Sequence, residues 1–340
     1  MIFLLSFFIS DKCVIVMMGC NSGGRDPEKV FLSEMVNLGK GFLDVFVSFG
    51  DMITGTLGIK AETKKSDIGA YFTKIENTMK IVKGKLGKIL EEHGSYEKVK
   101  GKVEEFIGKI GKIEEGAKEA AGGASGDDKI GGATSAGQAA VAADKNSVIS
   151  LVKGIKAIVG VVLRDDEGSA EASKTAENDK KDVGKLFEKK DDNKAQEAEA
   201  AKAGASIGAV SGADILKAIA KSKENPSVND TEGIEKAIDA AEIAVAKAVD
   251  DKKEIKEGAN KDAVIAAGIA LRAMAKDGKF AAKNEEKAAN AVNGTVASAV
   301  NKVLSTLVIA IRNRVDEGLK GISEVLGEIK QGEGSEAKAN

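Results

Sequence analysis

SDIGAYFTKIENTMKIVKGKLGKILEE, residues 66–92, places Ile68, Phe72, Ile75, Met79, Val82, Leu86 and Ile89 at alternating steps of four and three. Such steps return to one side of an α-helix, whereas a half-buried strand would alternate at every second residue. Seven large apolar side chains therefore form a single stripe, and the opposite side carries Lys, Asn and Thr. A helix of this kind is stable only when partner helices cover its stripe. Ser66 reads as its N-cap, because a hydroxyl there can accept a free backbone N–H of the first turn.

The neighbouring stretches supply partners. From about Tyr96 to Ala121, Val99, Val103, Phe106, Ile107, Ile110 and Ile113 repeat the pattern, and the short His93-Gly94-Ser95 connection makes the pair an antiparallel hairpin. Upstream, Asp26-Pro27-Glu28 is a helix start, with an acceptor at the cap, Pro in the first turn and an acid facing the positive dipole end. Phe31, Met35, Leu38, Phe42, Val45, Phe49 and Met52 then follow a heptad seam that ends near Gly58. Downstream, residues 121–137 are rich in Gly, Ala and Ser and read as a loop. An apolar helix follows, with Val148, Ile149, Leu151, Val152, Ile155, Ile158, Val159 and Val162. Residues 164–214 are mostly Asp, Glu, Lys and Ala, with Val183, Leu186, Phe187, Ile207 and Val210 as their few anchors, so they are expected to form exposed surface with little specific packing. Helices are expected over about 213–222, 231–249 and 260–277, the second after the Asn225-Pro226 break and the third stopped by Gly278. A last one covers about 285–330, facing inward through Val296, Val300, Leu304, Leu307, Ile311, Val315, Leu319, Ile322, Leu326 and Ile329.

Composition agrees. Alanine, lysine, glutamate and aspartate are abundant, only two prolines occur, and aromatics are 4 % with no Trp, which favours helix over sheet. The 39 glycines oppose helix, so some must lie in loops and others where helices approach closely. The fold expected is all-α: an elongated multi-helix bundle whose long N- and C-terminal helices form a membrane-proximal stem. With 51 basic and 53 acidic side chains the net charge is −2, which gives no general attraction to nucleic acid.

The start of the chain, MIFLLSFFISDKCVIVMMG, holds two apolar runs broken by Asp11 and Lys12, too short for a spanning helix. Residues 1–19 read as an export signal, with Gly19 directly before Cys20. That arrangement resembles the lipobox of bacterial lipoproteins, in which the Cys thiol receives a diacylglyceryl group and becomes the new N-terminus. The leader departs from that pattern in having no basic residue before its first apolar run and in having Met17 where Leu is usual. Cys20 is thus the expected lipid-attachment site, with several acyl chains supplying an anchor that one chain cannot. Residues 20–26 would be the tether, 27–330 a single bundle domain with a variable, surface-exposed middle at 121–250, and 331–340 a disordered tail.

Catalytic and metal chemistry find no support. His93 is the single histidine and reads as a solvated turn residue, so neither a Ser-His-Asp triad nor a zinc site can be assembled within one chain. No GxxxxGK[ST] loop, strand-linked GxGxxG or DxDxDG loop occurs, and no cofactor is expected. One basic feature remains. Residues 74–88 carry five Lys against one Glu, and Lys74, Lys85 and Lys88 project opposite the apolar stripe, with Lys80 at their edge. They form either an ordinary solvated helix face or a site for an anionic ligand such as a host glycosaminoglycan or serum protein.

IAAGIALRAMAKDGKFAAKN (265–284), together with GCNSGG at the tether and MVNLGKGFLDVFVSFGDMITGTLGIK (35–60), resembles the variable large proteins of relapsing-fever Borrelia and the related Lyme Borrelia variable surface antigen. The resemblance covers nearly the whole mature chain and is weakest over 121–214. It implies a non-enzymatic, antigenically variable lipoprotein on the outer membrane, a coat whose partners are membrane lipid and host antibodies. An adhesin is the alternative role, and dimerisation is left open. The residues of 265–284 also have a structural reading: Val264, Ile265, Gly268, Leu271 and Met274 make a buried helix face.

Overall fold

The computed structural model describes residues 58–93, 97–134, 137–189 and 193–336, with side chains to Val325 apart from residues 92, 93 and 98. The expected helix over 26–58, the leader and Cys20 lie outside the described residues. Helix α1 spans Lys65–His93 and α2 spans Glu97–Gly123. Helix α1 begins one residue before the expected cap: the Lys64 backbone N–H donates to the Asp67 carboxylate at 3.0 Å, and Ser66 lies inside the first turn. All seven residues of the α1 stripe are buried, as are Val99, Val103, Phe106, Ile110 and Ile113 of α2, while Ile107 is half-buried. Each such side chain contributes about 1.5–3 kcal/mol by leaving water.

Helix α3 (Lys145–Val162) runs antiparallel to α2. Asp144 caps it, its side chain accepting the Ser147 N–H. The two helices cross where Gly116 meets Gly154, and a Cβ on either would press into the other's backbone. The loop between them, expected over 121–137, is anchored by isolated bridges from Lys64 to Lys129 and from Val141 to Lys279.

The region from 164 onward is more specific than expected. Helix α4 (Glu177–Asp182), a 3-10 turn at Val183–Phe187 and helix α5 (Glu197–Ala209) carry the anchors, and Val183, Leu186, Phe187, Ile207 and Val210 are all buried. Alanine completes the packing, with Ala195, Ala200 and Ala203 buried too. Helix α6 (Gly212–Lys221) follows, started by a reciprocal Ser211–Asp214 capping box. The continuous helix expected over 231–249 is absent. A 3-10 turn at Gly233–Lys236 is followed by a separate short helix, α7 (Ala240–Val245), which Asp239 starts afresh by accepting the Glu242 N–H.

Helix α8 (Asp262–Met274) is buried at every residue. Helix α9 (Glu286–Glu336) is the longest and reaches beyond the expected end at 330. Its inward set is buried from Val296 to Ile322, and Leu326 and Ile329 lie beyond the described side chains. By length and composition Glu286–Val325 could cross a membrane, but more than half of its apolar window is covered by the rest of the fold. Near its start, the Asn293 side chain exchanges hydrogen bonds with Ala133, both at 2.9 Å. Farther along, Tyr71 of α1 donates to the Leu304 carbonyl, and the Phe106 ring of α2 lies against Gly318. The all-helical architecture therefore has two parts: a head built around α8, and a stem of α1, α2 and the C-terminal half of α9. Among the described residues there is no strand, only the two isolated bridges.

Candidate functional site

The structure places Lys74, Lys80 and Lys88 on the exposed side of α1, with Lys85 half-buried and engaged. The fifth lysine of the run, Lys83, turns to α2 and pairs with Glu114. The face is not uniformly basic. At 100° per residue Ile81 falls between Lys74, Lys85 and Lys88, and it is 52 % exposed. Lys74, Lys85 and Lys88 are thus brought together around an apolar centre, with Lys80 at their edge. His93 ends α1.

The segment 265–284 lies at the centre of the head. Arg272, on α8, is fully buried and forms no ion pair with any described carboxylate. Its Nη1 donates to the carbonyls of Ile243 (3.3 Å), Ala244 (3.1 Å) and Ala246 (2.9 Å), and its Nε donates to Lys279 (2.9 Å). The first three acceptors are at the C-terminal end of α7, where the helix dipole presents partial negative charge. Those contacts take carbonyls that a longer helix would need, one physical reason why the expected 231–249 helix stops at Val245. Nη2 has no hydrogen-bond partner among the described residues, and the guanidinium lies over the Phe187 ring, 5.0 Å from its centroid, with Phe280 at 5.9 Å. Burial lowers the guanidinium pKa to about 9, so it stays charged at neutral pH.

Lys65 stands beside it, also fully buried. Its Nζ donates to the carbonyls of Arg272 (3.2 Å) and Ala273 (2.6 Å), so it closes the end of α8 as Arg272 closes the end of α7. At the other end of α8, the buried Asp262 carboxylate accepts the backbone N–H groups of Lys174 (2.5 Å) and Thr175 (2.8 Å) and the Thr175 hydroxyl (2.6 Å). Sequence reasoning missed all three ionic residues. Arg272 did carry a signal, since it stands four residues after Gly268 and seven after Ile265, both on the inward face. Lys65 and Asp262 carried none, because a charge at a helix start is usually solvated.

The exterior of the head carries a series of ion pairs, Lys221–Glu171 (2.7 Å), Lys247–Asp230 (2.6 Å), Lys252–Glu232 (2.9 Å) and Lys256–Glu254 (2.6 Å). Each such surface pair contributes little to stability. Together they keep the head's charges mutually neutralised. Among the described residues no group of three or more His, Cys, Asp or Glu could hold a metal ion.

An all-helical stem and head with a sealed central helix defines a class, and comparison with known proteins gives it a family. The family model described as Borrelia lipoprotein matches residues 42–326, and the chain belongs to that family, one of surface antigens and not of enzymes. Among relatives, variable large protein 4 of Borrelia hermsii is 60 % identical over 96 % of this chain and 94 % of its own. Variable large protein 17 of the same organism is 61 % identical over 93 % of this chain and 90 % of its own. The crystal structure of the Lyme disease variable surface antigen VlsE of Borrelia burgdorferi superposes with a TM-score of 0.77 at 35 % identity, covering 88 % of this chain and all of that one.

Proposed function

We propose that the chain is an antigenically variable lipoprotein, anchored in the outer membrane through acyl groups on Cys20, that evades immunity as a surface coat. The observation that carries this reading is the 60 % identity to a variable large protein over nearly the full length of both chains. The architecture supports it. Nearly all the large apolar residues of the head point inward, while many of its outer charges are solvated and paired with other surface charges, so side chains there can change with little effect on the core. The proposed parts are the leader 1–19, the tether 20–26, the bundle 27–330 with its variable middle at 121–250, and the tail from 331.

Three experiments test it. Labelled palmitate should enter the wild-type protein and not a Cys20→Ala variant, and protease added to intact cells should remove it. Serial sequencing of the expressed locus through one infection should find replacements concentrated in 121–250. A sequence unchanged through successive antibody responses overturns the reading. An adhesin is the second reading, favoured by the exposed Lys74, Lys80 and Lys88. It requires heparin binding that weakens with salt and disappears when these lysines become Glu; unchanged binding in the triple variant removes it.

A further inference from the structure

Lys65 and Arg272 are two cations sealed in one place, and neither forms an ion pair with a described carboxylate. Charged groups do approach Lys65 from each packed element: Asp128 from the loop after α2, Arg272 from α8, and Asp277 and Lys279 from the segment beyond it. Asp128 is exposed and pairs with Lys279 at 3.4 Å, and Asp277 is exposed, so the acids that could compensate Lys65 face water. The direct contacts of Nζ are two carbonyls, which a neutral amine satisfies as a donor without any charge to desolvate. The chain entering α1 rests on the same spot. The Lys65 and Ser66 N–H groups donate to the Asp128 and Gly126 carbonyls, and the Ile130 N–H donates to that of Thr63.

We propose that Lys65 is a proton-operated latch that fastens the entry of α1 to the C-terminal end of α8, closed when its amine is neutral and loosened when the amine takes up a proton. Burial, opposed by Asp128, lowers its pKa from 10.5 to about 7, so the exchange of forms falls at neutral pH. The direction follows from linkage. The open form, with an ordinary lysine, binds the proton more tightly than the closed form, so opening becomes easier as pH falls from 10.5 towards 7 and levels off below. Loosening uncovers the α8 end, Arg272 to Ala275, which is buried while the latch is closed.

The test is hydrogen–deuterium exchange of the whole chain, corrected for intrinsic amide rates, with direct nitrogen NMR titration of Nζ. For amides 63–68 and 272–280 the opening constant should rise about fiftyfold from pH 9 to pH 7 and only about twofold more by pH 6. The Nζ titration should have its midpoint near 7. Lys65→Met should abolish the pH dependence in these amides alone, and Lys65→Arg should leave them open at every pH. A flat wild-type profile, or an Nζ midpoint near 10, overturns the latch. The titration is read on the wild-type chain and decides the matter even where a variant does not fold.

Discussion

Arg272 holds its charge in a dry interior with carbonyl oxygens and two aromatic rings where a carboxylate would be usual. Removing the side chain would leave several carbonyls without donors and a void between Phe187 and Phe280. Arg272→Ala is expected to destabilise the fold by about 3–5 kcal/mol, measured as a lower urea midpoint at unchanged slope. Arg272→Lys should recover only part of this, because a compact ammonium cannot reach both the α7 carbonyls and Lys279. A loss under 1 kcal/mol in the Ala variant would mean that the α7 carbonyls find water instead.

Between elements, two glycines of α9 make opposite predictions. A Cβ at Gly318 would overlap the Phe106 ring, whereas at Gly294 it would meet nothing. Gly318→Ala should therefore cost about 1–3 kcal/mol despite better helix propensity, and Gly294→Ala should stabilise by about 0.5–1 kcal/mol. Thermal unfolding of the two single variants checks the contrast, and equal shifts would refute the close α2–α9 crossing. Asp262 sets the loop 169–176 against α8. Burial raises its pKa, but the Thr175 hydroxyl and the Lys174 and Thr175 N–H groups outweigh that, leaving it below the ordinary value. Its contribution is present above the unfolded carboxylate pKa and is lost as pH falls through the folded one. Acid unfolding of Asp262→Asn should therefore begin from a lower stability at pH 7 and converge with wild type only once the pH lies below the lowered folded-state pKa of Asp262. The stripes of α1, α2, α3 and α9 were legible from sequence because each is long and faces one way. The stop at Val245 was not, because the carbonyls there are taken by a guanidinium from another helix. The packing of 177–210 was hidden for a related reason: alanine forms much of it, and alanine alone does not mark a face.

For the whole molecule, the buried residues of head and stem form one continuous cluster from Ile68 to Ile322. A chain lacking residues 1–26 should accordingly remain soluble without detergent and unfold in a single calorimetric transition. Two resolved transitions would show that head and stem are separate units.

Both buried cations grip main-chain oxygens, and every residue type carries that oxygen. The positions that hold Arg272 and Lys65 can therefore be rewritten by mutation or by import of a foreign gene segment without loss of the acceptor, provided the local backbone path is kept. Heredity at the centre of the head then asks for two cations and a backbone path, and leaves the surrounding letters of the gene open to change.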